Sequence, residues 1–165
     1  MKKSVARLSA LALVFAVSAM GDNEKSLQGL QGVYILVEDL PGIVEQAGLD
    51  SATIRIDVEL KLRLAGIKVL TQEETLKQAG APYLYINVNI NKQTLRDIAS
   101  SEILCELYQT VHLTRDESIS LEASTWRVTS VGPVERRNIA SYTRDSVKDA
   151  VDRFVNAYMS VNPKK

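Results

Sequence analysis

The chain has 165 residues, which suits one domain and leaves little room for a second. Hydrophobic residues make up 45% and charged residues 24%, which excludes a disordered or fibrous chain. Lysine plus arginine and aspartate plus glutamate number 20 each, and a single cysteine and a single histidine exclude an internal disulfide framework and a Cys/His zinc site.

Lys2, Lys3 and Arg7 precede a charge-free run of 13 residues, Leu8 to Met20. A basic head, a short apolar core and small residues at Val17, Ser18 and Ala19 predict a secretory signal peptide over residues 1–19, cleaved near Ala19. A bilayer span takes roughly 20 apolar residues, so no transmembrane span is expected after processing. Cleavage would remove three positive charges and leave 17 basic and 20 acidic residues, a net of −3. That balance, without basic clusters, argues against nucleic acid as a partner. Export to the periplasm or beyond the cell is the expected localisation.

Residues 20–32 read as a flexible lead and 33–161 as a single α/β domain, with a tail at 162–165. Gly32 to Glu38 is apolar and β-branched, a strand that ends in a turn at Asp39 to Gly42. Between Ile54 and Leu64 apolar and charged residues alternate strictly, which taken alone predicts a strand. Asp50-Ser51 offers an N-cap, Gly66 a C-terminus, and Arg55/Glu59, Asp57/Lys61 and Glu59/Arg63 are spaced for pairing along a helix. A helix over 51–65 follows, apolar on two sides, one against the sheet and one against a neighbour. Ile67 to Leu70 reads as a short strand, and Thr71-Gln72-Glu73-Glu74 as a capping box opening a helix to about Gln78.

Tyr83 to Ile90 alternates cleanly, with Leu84, Ile86, Val88 and Ile90 on one face and Tyr83, Tyr85, Asn87 and Asn89 on the other. Glu102 to Thr114 is a long strand, Arg115 to Ser118 a hairpin turn, and Leu121 to Val131 the return strand, ended by Gly132-Pro133. Val147, Ala150, Val151, Phe154, Ala157, Tyr158 and Val161 recur at helical spacing and predict a last helix entered near Asp145. The expected class is α+β: a two-layer sandwich with a mostly antiparallel sheet of four or five strands and two main helices on one face, in the order β-α-β-β-β-β-α. No element is left to cover the opposite face.

The stretch Leu60 to Leu70, leading into Pro82-Tyr83-Leu84-Tyr85-Ile86-Asn87-Val88, resembles a pattern in small exported bacterial domains, where a helix ends in glycine before a short strand and an antiparallel sheet. The layout is similar to that of the amino-terminal domain of TolB and the LPS-assembly lipoprotein, and the whole mature chain resembles a family of small exported bacterial proteins. The resemblance spans residues 33–160 and brings no catalytic residues. This chain lacks the anchoring cysteine of the lipoproteins.

No nucleophile elbow, Walker loop, dinucleotide fingerprint, HExxH pair or calcium loop occurs, so neither an enzyme nor a cofactor is expected. His112 reads as a sheet-surface histidine; the rival is a hydrolytic base beside Glu106 or Asp116. Cys105 falls on the apolar face of its strand, as a buried thiol. Glu102 and Glu106 share a strand face about 13 Å apart, too far for a glycosidase pair. The candidate site is the uncovered sheet face, with Tyr83, Tyr85, Tyr108 and His112 joined by Trp126 or Arg127 according to register. Tyrosine and tryptophan combine large contact area with a polar tip, the chemistry of an interface. Binding of a protein or envelope component is the leading expectation, and the alternative is a small-ligand or lipid carrier with a pocket between helices and sheet.

Overall fold

A computed structural model describes residues 24–92 and 97–163. The expected signal peptide, 1–19, lies outside the described residues. The fold is α+β: strand β1 (Tyr34–Val37), helices α1 (Gly42–Gln46), α2 (Ser51–Leu64) and α3 (Gln72–Leu76), strands β2 (Tyr83–Lys92), β3 (Ile98–Leu113) and β4 (Asp116–Glu135), and helix α4 (Ile139–Val161). The sheet order is β1-β2-β3-β4, with β1 parallel to β2 and the other pairs antiparallel.

The alternating pattern of β2 places Leu84, Ile86 and Val88 in the core and leaves Tyr83, Tyr85, Asn87 and Asn89 half-buried on the other face. Register extends this split across the sheet. Ile35, Leu84, Leu107 and Trp126 form one inward row, and Tyr34, Tyr83, Tyr108 and Ser124 the matching outward row. Helix α4 packs on β3 and β4, and α2 packs on β1 and α4, so both main helices lie on the inward face. Phe154, Ile54 and Leu62 are fully buried between the layers.

The alternation in α2 resolves into two helical stripes. Ile54, Val58 and Leu62 are buried, whereas Ile56, Leu60 and Leu64 stand on the far side, 65%, 56% and 79% exposed. Two apolar sets, each spaced by four and offset by two, give a period of two in a segment that is helical. The neighbour expected on the second side is absent among the described residues. Asp50 caps the helix through its carboxylate, which accepts the Thr53 N–H at 2.6 Å. Arg55 and Arg63 both bind Glu59 at 3.0 Å, as their spacing predicts. Asp57 and Lys61 do not pair with each other. Arg144 grips Asp57 through two nitrogens at 2.5 and 2.9 Å, and Lys61 pairs with Asp152, so these charges fasten α2 to α4.

Several local expectations change. Residues 67–70 form no strand: Val33 and Val69 make a single parallel bridge, with Val33 N–H donating to Lys68 O and Leu70 N–H to Val33 O. Gly32 is required there, because a β-carbon would sit 2.6 Å from Lys68 O. The turn after β1 continues into α1, whose Val44 is fully buried. Thr71 and Glu74 form the expected capping box. From Glu24 the expected lead is built into the fold: Leu27 is fully buried in a 3-10 turn, and Tyr158 Oη donates to Leu30 O at 3.0 Å.

Strand β4 does not end at Gly132-Pro133. It runs to Glu135, with Gly132 opposite Ser101 and Pro133 opposite Ser100. As the sheet's edge it tolerates a residue without an N–H. Helix α4 begins at Ile139, six residues before Asp145, and buries Ile139, Thr143 and Val147 one turn apart.

Candidate functional site

Three of the five candidate residues meet on the open face. Tyr83 opens β2 and Tyr108 lies directly opposite it in β3. Their rings stack at 5.4 Å between centroids with 9° between planes. Tyr85, two residues along β2, meets Tyr108 edge-on at 5.7 Å and 79°. Stacked and edge-to-face pairs are the favoured aromatic geometries, each contributing about 0.5–1.5 kcal/mol beyond burial.

Each of these hydroxyls faces a carboxylate. Tyr83 Oη donates to Glu122 Oε2 and Tyr108 Oη to Glu106 Oε2, both at 3.4 Å. The Tyr85 hydroxyl interacts with Glu38 and accepts a 3.0 Å hydrogen bond from Asn87 Nδ2. Desolvation raises all three tyrosine pKa values, and the adjacent glutamates push the same way. The hydroxyls therefore stay protonated at neutral pH and act as donors toward the carboxylates.

Glu106 is the most enclosed of the acids, only 8% exposed. Ser124 Oγ donates to its Oε1 at 3.0 Å. Arg127 stands opposite Glu106 in the register but forms no ion pair with it among the described residues. Further along the face, Asn89 Nδ2 donates to Glu102 Oε2 at 3.3 Å.

Trp126 does not join this face. It lies in the inward row opposite Leu107, is 6% exposed, and meets Phe154 edge-on at 5.2 Å. The cause is a β-bulge. Leu107 pairs with Trp126 and Tyr108 with Ser124, so Thr125 has no partner in the ladder. One extra residue exchanges the faces of everything beyond it, and Arg127 takes the outward place. Thr125 is held by Gln109, whose Nε2 donates to its Oγ1 at 2.8 Å.

His112 is on the outward face but apart from the tyrosines, exposed near the tip of the β3–β4 hairpin. Its Nδ1 lies 2.9 Å from Glu117 O. Glu38 and Glu122 did not emerge from sequence reasoning, because only the register brings them to the tyrosines. The parity of β3 does place Glu106 beside Tyr108. Among the described residues no group of three or more histidine, cysteine, aspartate or glutamate side chains could hold a metal ion. No described helix is long and apolar enough to cross a membrane. No family model matches the chain, and no curated protein matches it.

Proposed function

We propose that this chain is an exported, non-enzymatic domain that binds a protein or envelope component through the open face of its sheet. The observation that carries the reading is the Tyr83–Tyr85–Tyr108 cluster on the face opposite both main helices. Aromatic side chains with polar tips are over-represented where proteins meet, since they cover area at a low cost in conformational entropy. The space between helices and sheet is occupied by Phe154, Leu62 and Ile54, which favours the outer face over an interior pocket as the place of contact. The charge-free amino-terminal run after Lys2, Lys3 and Arg7 supports export.

The test is affinity capture from a periplasmic extract with the mature chain and with the Tyr85→Ala/Tyr108→Ala variant. The wild type should retain a defined partner and the variant should lose it, while circular dichroism and melting temperature show the variant folded. Equal capture by both forms, or no specific capture by the wild type, would overturn the reading.

A further inference from the structure

The open face carries a charge pattern as well as an aromatic cluster. Its outward positions include Glu102, Glu106 and Glu122, with Glu38 beside Tyr85 just past β1, against one arginine, Arg127, among the described strand residues. Glu106 is more than nine-tenths buried, and its hydrogen-bond partners are the neutral hydroxyls of Ser124 and Tyr108. Glu106 forms no salt bridge among the described residues, so an incoming positive group would meet a carboxylate held only by neutral donors. Tyrosine rings beside it offer a second attraction to the same kind of group, since their faces are electronegative.

We infer that this face takes an extended segment of a partner protein whose lysine or arginine side chains recur every fourth residue. The spacing comes from the register. Glu122 stands opposite Thr110, and Glu106 and Glu102 follow at intervals of four residues along β3. At about 3.3 Å per residue the carboxylate rows lie roughly 13 Å apart. An extended peptide places residues i, i+4 and i+8 on one side at the same interval. Tyr83 and Tyr108 occupy the row between Glu122 and Glu106, where the segment's intervening side chains would rest, and Tyr85 shares the row of Glu106. Arg127 stands opposite Glu106 and opposes the cation that would settle there.

This inference rests on the partner-binding reading but is tested separately. The probe is a fluorescein-labelled nonapeptide, Lys-Ser-Thr-Ser-Lys-Ser-Thr-Ser-Lys, titrated against the full mature chain by anisotropy at 50 mM salt. An isomer with lysines at i, i+3 and i+6 keeps the charge but directs alternate lysines to opposite sides; a glutamate counterpart reverses the charge. The i, i+4, i+8 peptide should bind about tenfold more tightly than its isomer, and the glutamate peptide should not bind. The Glu102→Gln/Glu122→Gln variant should weaken binding about tenfold, and Arg127→Gln should strengthen it. Raising salt to 500 mM should weaken it further, because exposed charges are then screened within a few ångströms. Equal affinity for the two isomers, or indifference to the glutamine substitutions, would overturn the inference. So would spermine binding as tightly as the nonapeptide with the same dependence on Glu102 and Glu122. If the natural partner is lost with Tyr85→Ala/Tyr108→Ala yet unaffected by Glu102→Gln/Glu122→Gln, the partner-binding reading stands and the cationic one fails.

Discussion

Replacing Leu62 and Leu64 separately by alanine tests how α2 is built. In a strand, Leu60, Leu62 and Leu64 would share one face and their losses would be similar. In the helix, at about 100° per residue, Leu62 and Leu64 point to nearly opposite sides. Leu62 is fully buried and Leu64 is 79% exposed. Truncating a buried leucine costs about 2–5 kcal/mol, through lost transfer energy and the cavity left behind. With about 3 kcal/mol as the working value, the folded fraction relative to unfolded falls roughly 150-fold and the melting temperature drops by roughly 6–12 °C. Leu64→Ala should stay within about 0.5 kcal/mol, a shift of 1–2 °C at most. Urea denaturation followed by the fluorescence of Trp126, the only tryptophan, reads both, because that indole sits in the core against Phe154. Similar losses at 62 and 64, or a negligible loss at 62, would refute the two-stripe helix.

Other expectations follow from single groups. Thr143 Oγ1 is buried with no hydrogen-bond partner among the described residues, so Thr143→Val should raise stability by about 1 kcal/mol in the same urea assay, and a loss would contradict its unsatisfied state. Burial pushes the Cys105 thiol far above its ordinary pKa, so Ellman's reagent should label it only after unfolding; rapid labelling of the native protein would show that its strand opens. The hydrogen bonds from Arg144 hold the Asp57 carboxyl below its ordinary value of 3.8, which makes the pair stabilising above that pH and lost as pH falls through the depressed value. Asp57→Asn should therefore cost about 0.5–1 kcal/mol at pH 6 and progressively less as pH falls below 3.8 through the depressed value, and a cost that does not shrink in acid would assign the effect to packing.

The parts of the fold legible in the sequence are those whose signal lies within a few residues. The alternation of Tyr83 to Ile90 sorts core from surface in β2, and the capping box at Thr71 fixes the start of α3. Asp50 and Gly66 outweigh the alternation of α2 because caps report backbone geometry, while alternation also arises from two helical stripes. The start of α4 is not legible in the sequence, since Ser141, Thr143 and Arg144 interrupt the apolar pattern between Ile139 and Val147. Their places are set by contacts: Thr143 faces the core and Arg144 reaches Asp57.

The candidate face divides along the same line. Strand parity alone assembles Tyr83, Tyr85, Glu106 and Tyr108, because each strand alternates its own side chains. Whether Trp126 or Arg127 joins them depends on one unpaired residue, Thr125, and a bulge is a property of two strands together. The glutamates at 38 and 122 reach the tyrosines only through pairing between strands distant in the chain. Local spacing determined which elements form and which face each presents; the tertiary structure decided which faces meet, since register and docking are set by packing between residues that no short window of sequence contains.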